Sequence, residues 1–216
     1  MLKRPIFGLG KYVNNIMTAI NEGEEARRLY KEIRFCTHCE PELPCGANPV
    51  LSIDARAKIL IVGQAPGSKV HDSGIPWNDQ SGRELRNWLG VTEDEFYNPQ
   101  NFAIVPMGFC YPGKGKQGDL PPKKVCAPMW HPAVNAVLKH VKLTLLIGKY
   151  AQDYYLPTAL QITLTKAVAD FALYLPDFFP LPHPSPRNFI WKARNPWFNE
   201  SVLPVLKDEV QKALYG

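Results

Sequence analysis

Lys58-Ile59-Leu60-Ile61-Val62-Gly63-Gln64-Ala65-Pro66-Gly67, continued through Pro76-Trp77-Asn78-Asp79-Gln80-Ser81-Gly82 to Leu89, decides how this chain folds. Its apolar run is rich in β-branched residues and too short for a helix. Gly63, Pro66 and Gly67 break any continuation, so the run predicts a buried strand that empties into a loop. Ser81 and Glu84 have capping-box spacing and predict a helix starting there that buries Leu85, Trp88 and Leu89. Asp79 then lies just ahead of a helix N-terminus, whose exposed amides attract a carboxylate. A Gly-rich loop, an aromatic ring and an acid therefore meet at the carboxyl end of a strand, where open α/β sheets bind ligands.

Working outward, Ala26, Leu29, Tyr30 and Ile33 recur at helical spacing over Glu24 to Ile33, with Arg27, Arg28, Lys31 and Glu32 on the other face, which predicts an amphipathic helix. Further strands are expected at Phe102 to Val105, Leu143 to Ile147 and Phe178 to Pro182. Helices are expected at Pro132 to His140, Lys149 to Tyr155, Leu164 to Phe171 and Glu200 to Leu214, the last burying Val202, Leu206, Val210 and Leu214. Strands alternating with helices imply a mainly parallel sheet covered on both faces. The expectation is a three-layer α/β/α sandwich around a four-stranded sheet, one domain over 1–216, with a helical extension over about 1–34. No internal repeat is visible.

At 216 residues, with 45% hydrophobic and 21% charged residues, the chain can bury one well-packed core. Twenty-one prolines and fifteen glycines lie between apolar runs, which suits a loop-rich enzyme and not a low-complexity segment. No apolar segment is long enough to span a bilayer, and Met1 to Ile20 is interrupted by Lys3, Arg4, Gly8, Gly10, Lys11, Asn14 and Asn15, so neither signal peptide nor anchor is expected. The expected location is the cytoplasm or a comparable reducing compartment, where five cysteines serve as thiols or metal ligands more readily than as disulfides. A net charge of +5 is compatible with a polyanionic partner and does not by itself establish one.

Three constellations have chemical potential. Cys36-x2-Cys39 is followed by Cys110 and Cys126, which bracket a long Gly, Pro and Lys loop. Four thiolates in two pairs can enclose a metal centre and anchor such a loop, although buried cysteines also serve as small apolar residues. Cys45 is left over, as a substitute ligand or a free thiol. In the second constellation, Gln64, Trp77, Asn78 and Asp79 can surround a planar ligand, Trp77 stacking and Asp79 activating water; a core aromatic and a helix cap are the plain alternatives. In the third, His183-Pro184-Ser185-Pro186-Arg187-Asn188 leaves a strand end, followed by Trp191, Lys192 and Arg194, a basic and aromatic mixture suited to a nucleic-acid backbone.

In this order and spacing the motifs resemble the uracil-DNA glycosylase superfamily. Gly63 to Gly67 looks like its first motif, and His183 to Asn188 looks like its second. The cysteine pattern is similar to the family 4 and family 5 enzymes, whose four cysteines hold a [4Fe-4S] cluster. The resemblance covers about Arg34 to Asn188 and implies a compact α/β/α fold. It also implies a monomeric, monofunctional DNA-repair enzyme that flips a deaminated base, most often uracil, out of DNA. On this comparison Gly63, Gln64, Ala65, Pro66, Gly67, Trp77 and Pro106 form the base pocket, with Trp77 in place of the family's stacking phenylalanine. His183 supports the departing base, Ser185, Pro186 and Arg187 press into the DNA minor groove, and Cys36, Cys39, Cys110 and Cys126 ligate the cluster, with zinc or no metal as the alternatives.

Two departures bear on the chemistry. Gln64 and Ala65 stand where the best-known branch carries aspartate and family 4 carries glutamate. Asp79, in a segment similar to the Gly-Asp-x-Ser-Gly of family 5, is therefore the expected water-activating group. Pro106 stands where many relatives carry the asparagine that reads uracil, which leaves open another base, such as hypoxanthine, or recognition without cleavage.

Overall fold

The computed structural model describes residues 9–116, 118–156 and 163–216. Its central sheet consists of β1 (Ile59–Val62), β2 (Phe102–Ile104), β5 (Leu143–Ile147) and β6 (Phe178–Leu181), all parallel and in the order β2-β1-β5-β6. Ile61 pairs with Ile104 on one side and Leu145 on the other, and Leu145 pairs with Phe179. Every residue of β1, β2 and β5 is buried, as a sheet covered on both faces requires.

The side chains alternate between two cores. Leu60, Val62, Ala103 and Leu146 face one layer with Ala26, Leu29 and Ile33 of α1 (Leu9–Arg34) and Ala127 and Val134 of α5 (Cys126–Val137). Ile59, Ile61, Phe102, Leu145 and Phe179 face the other layer, against Leu85, Trp88 and Leu89 of α3 (Gln80–Leu89) and Leu206, Val210 and Leu214 of α9 (Leu203–Tyr215). This is the expected α/β/α sandwich. The last turns of α1 are part of its core; residues 1–8 of the expected extension lie outside the described residues.

Several boundaries differ from the sequence reading, each for a local reason. The cap of α3 lies two residues before Ser81: Asp79 is its N-cap, accepting from the Gly82 amide at 2.8 Å, and Glu84 turns instead to Trp88 and Lys192. A reciprocal capping box does exist, at Thr92 and Glu95 before α4 (Glu93–Tyr97). α5 starts at Cys126 and runs through Pro132. The burial of Ala127, His131 and Val134 on one helical face holds this helix despite the amide that proline lacks. Tyr30 leaves the apolar stripe of α1 and is exposed, and α9 starts at Leu203 behind a π turn at Phe198–Val202. α7 (Leu164–Ala169) stops before Phe171, which enters a separate 3-10 turn. α6 (Lys149–Tyr155) lies where expected.

The long loop before Cys126 contains structure that the sequence did not signal. β3 (Lys114–Gly115) and β4 (Gly118–Asp119) form a small antiparallel hairpin, and Tyr111, Pro112 and Gly113 beneath it are buried. Leu120 closes the hairpin base by donating to Gly113 at 2.8 Å. The remaining short helices are α2 (Ser68–Ser73) and α8 (Phe189–Arg194).

Candidate active site

β1 and β2 stay paired past their ends. Val105 donates to Ile61 at 2.9 Å, Met107 to Gly63 at 2.8 Å and Gly108 to Gln64 at 3.0 Å. This fixes the loop after β1 beside the loop after β2, and β6 brings His183 to the same edge. A cleft of about 520 Å³ opens there, lined by Gly63, Gln64, Ala65, Pro66, Gly67, Trp77, Asp79, Pro106 and His183. The nine residues that the resemblance implies for the pocket or its chemistry are thus brought together, whereas Asn78 is not part of the lining. Val50, Val70, Pro76 and Ile104 complete the lining; as ordinary apolar residues they carry no signal in the sequence.

Trp77 is held in an unusual position. Its φ of 56° lies in the left-handed region, uncommon for a bulky side chain and frequent at functional sites. Two glycines make room for it. A Cβ on Gly63 would fall 2.9 Å from the indole Cζ2, and one on Gly82 would fall 1.8 Å from the Trp77 carbonyl oxygen. The indole lies 5.6 Å from the His183 ring, centroid to centroid, at 33°.

Burial holds the His183 imidazole below its ordinary pKa, against the opposing pull of the Asp79 and Asp119 carboxylates. His183 is therefore neutral at pH 7, and one ring nitrogen can donate. Its loop is stiffened by Asn188, which donates to the His183 carbonyl at 2.7 Å, and by Ser185, whose hydroxyl accepts from the Arg187 amide at 3.2 Å. Asp79 Oδ1 is committed to the Gly82 amide, so the cap orients the carboxylate within the cleft.

His131 was not anticipated. It is fully buried on α5, with Nε2 3.1 Å from the Pro106 carbonyl oxygen and Nδ1 2.8 Å from the Tyr155 hydroxyl. A lone histidine between Trp130 and Pro132 gives no sequence signal of that contact. Asp119 is likewise new: a Cβ on Gly67 would meet its Oδ2 at 3.5 Å, so the β3–β4 hairpin leans over the first loop.

Ser185, Pro186 and Arg187 lie outside the cleft, at its rim; Pro186 and Arg187 are exposed, and the Arg187 guanidinium lies against Gly118 of the hairpin. Trp191 departs from the expected basic and aromatic face. Its indole packs on Trp197 and Phe198 and donates to Thr165 at 2.9 Å, so it belongs to the core side of α8.

Cys36, Cys39, Cys110 and Cys126 line a second recess, with Leu43, Phe109 and Lys123, and Cys45 is exposed outside it. Burial pushes the Cys110 thiol up to about 11 and the Cys126 thiol to about 12, with the neighbouring cysteines adding to both shifts. Such a recess fits a bound cationic centre that would stabilise the thiolates. Among the described residues, no three His, Cys, Asp or Glu side chains converge as ligands of one metal ion. No described helix is long and apolar enough to cross a membrane.

A family model described as Uracil DNA glycosylase superfamily matches residues 52–207, most of the chain. The match takes in the whole sheet, Asp79, His183, Cys110 and Cys126, and starts after Cys36 and Cys39.

Proposed function

The chain belongs to the uracil-DNA glycosylase superfamily, and on that premise we propose that it hydrolyses the N-glycosidic bond of a deaminated base in DNA, uracil foremost, as a monomeric, monofunctional enzyme. The family indicates a DNA glycosylase; the base, the route and the residue roles are our reading. The observation that carries it is the placement of Asp79 and His183 on one cleft, with Trp77 against His183.

The target nucleotide leaves the stack and its base enters the cleft. The cost of unpairing is a few kcal/mol, offset by stacking and hydrogen bonds in the pocket. Trp77 provides the stacking face. As the bond between C1′ and the base nitrogen breaks, its electron pair goes to the base and positive charge develops on the sugar. The neutral His183 ring donates a hydrogen bond to the anionic base, which stabilises charge that exists only late in the reaction. Asp79 keeps Oδ1 on the Gly82 amide and presents Oδ2 to a water molecule. The water oxygen bonds to C1′ and its proton passes to the carboxylate, giving a free base and an abasic sugar. Gln64 and Ala65 shape the pocket without supplying a base.

Cys36, Cys39, Cys110 and Cys126 would hold a [4Fe-4S] cluster of the family 4 and family 5 type. Four thiols lining one recess are the ligand set that such a cluster requires, and a single zinc ion is the alternative. Its contribution when bound is structural, tying the segment after α1 to both ends of the hairpin loop.

The test is incubation with a uracil-containing oligonucleotide followed by alkali. Strand breaks at the uracil that disappear in Asp79→Asn and His183→Ala are expected. Wild-type protein that binds such DNA yet releases no base from a panel of uracil, hypoxanthine and other deaminated lesions would be a recognition protein, and the hydrolytic reading would be lost.

A further inference from the structure

Gln80, Arg83, Glu84 and Asn87 follow the i, i+3, i+4, i+7 spacing of a helix and form one polar stripe on α3. Opposite them stand Pro184, Pro186 and Lys192, and the two sides enclose an open trough of about 680 Å³. The trough is not an isolated feature. Gln80 and Pro184 directly follow Asp79 and His183 in sequence, so the same two chain segments line the cleft on one side and the trough on the other.

Its chemistry is that of an anion site. Arg83 is exposed and has no acidic partner among the described residues. Lys192 Nζ lies 2.8 Å from Glu84 Oε1, which also accepts from the Trp88 indole at 2.9 Å, so the ammonium is held in one place. Glu84 is the only carboxylate among the described residues of the lining, and Lys192 neutralises it. Gln80 and Asn87 add amide donors. With Lys192 and Glu84 cancelling, Arg83 leaves the lining one net positive charge, beside the remaining N–H groups of the ammonium and the amides.

We propose that this trough is a phosphodiester site, in which Arg83 and Lys192 contact the backbone phosphate next to the nucleotide whose base occupies the cleft. The choice of occupant rests on the glycosylase reading: a strand with one base in the cleft must carry its adjoining phosphate over the segment shared with the trough. Phosphate contacts of this kind set register and carry no sequence information. They act together with the base pocket and not through it.

The experiment measures binding of a duplex containing a tetrahydrofuran abasic-site analogue, which has no glycosidic bond to cut, over a range of salt concentrations. Arg83→Gln and Lys192→Gln are compared with Arg28→Gln, which removes an equal charge from the exposed face of α1. Both trough variants should bind more weakly and flatten the log–log salt dependence by roughly one unit each, while Arg28→Gln follows the wild type. The proposal is overturned if the trough variants keep the wild-type slope, if Arg28→Gln flattens it equally, or if the wild type does not bind this DNA. Base release from a uracil oligonucleotide is read separately and decides only the glycosylase reading. Arg83 is exposed, so its variant retains the fold.

Discussion

The Pro106 carbonyl oxygen in the wall of the cleft lies 3.1 Å from Nε2 of the buried His131. A carbonyl can only accept, so Nε2 carries the proton and Nδ1 accepts from the Tyr155 hydroxyl at 2.8 Å. Proline has no amide hydrogen, and one of the two lone pairs of its carbonyl is taken by His131. Pro106 therefore has no hydrogen to donate to a base in the cleft, and on the proposed reading the donors to the base edge come from elsewhere in the lining, the loop from Gly63 to Gly67 first.

The burial of His131, which outweighs the upward pull of the Pro106 contact, predicts a pH dependence of stability. Burial pushes His131 down to about 4 from an ordinary value of 6.5. Above pH 6.5 neither state binds the proton and stability is full. As pH falls from 6.5 towards 4 the unfolded chain binds it first, so stability falls by about 3 kcal/mol in total. Urea denaturation at pH 7 and pH 5 should differ by about 2 kcal/mol more for wild type than for His131→Phe.

Asp79 is the N-cap of α3 and, on the proposed reading, the water-activating group, and substitution can separate the two. Asn is as good an N-cap as Asp, so Asp79→Asn should leave the melting temperature nearly unchanged while reducing single-turnover base release by roughly 10²- to 10⁴-fold. Asp79→Ala should show the same kinetic loss and an added destabilisation of about 1 kcal/mol. Equal kinetics for Asp79→Asn and wild type would remove it from the chemistry.

The glycines around Trp77 should behave differently from each other. Gly82→Ala brings a Cβ to 1.8 Å from backbone, which only movement of α3 or the Trp77 turn can relieve, so a loss of about 1–3 kcal/mol is expected in denaturation. Gly63→Ala meets the indole edge at 2.9 Å; its main expected effect is displacement of the stacking face, read as weaker binding of a base-containing oligonucleotide with little change in stability.

The cysteine recess predicts a selective pattern. Cys39→Ser and Cys126→Ser should lower iron content and visible absorbance together and reduce thermal stability, whereas Cys45→Ser, outside the recess, should do none of these. A colourless wild type with one zinc per chain would exchange the cluster for a zinc site.

The sequence alone determined the layered fold. The four apolar runs from Ile59, Phe102, Leu143 and Phe178 became the four parallel strands because burial on both faces leaves a continuous signature in each run. It also marked the loops that leave β1 and β6, since Gly63, Pro66, Gly67 and His183 interrupt those runs with residues that no strand needs. The site itself depended on tertiary structure. Strand order brings positions 63–67, 106 and 183 to one edge, and no local pattern contains that order. His131 reaches Pro106 only because α5 packs under the sheet, and Ser81 lost the cap to Asp79 because Gly82 lies against the Trp77 backbone. The trough depends on the same cause: α3 and α8, which follows the His183 loop, are about a hundred residues apart in the chain and meet at the Glu84–Lys192 pair. Periodicity records which side of an element is buried, whereas the partner it is buried against is decided only when the layers pack.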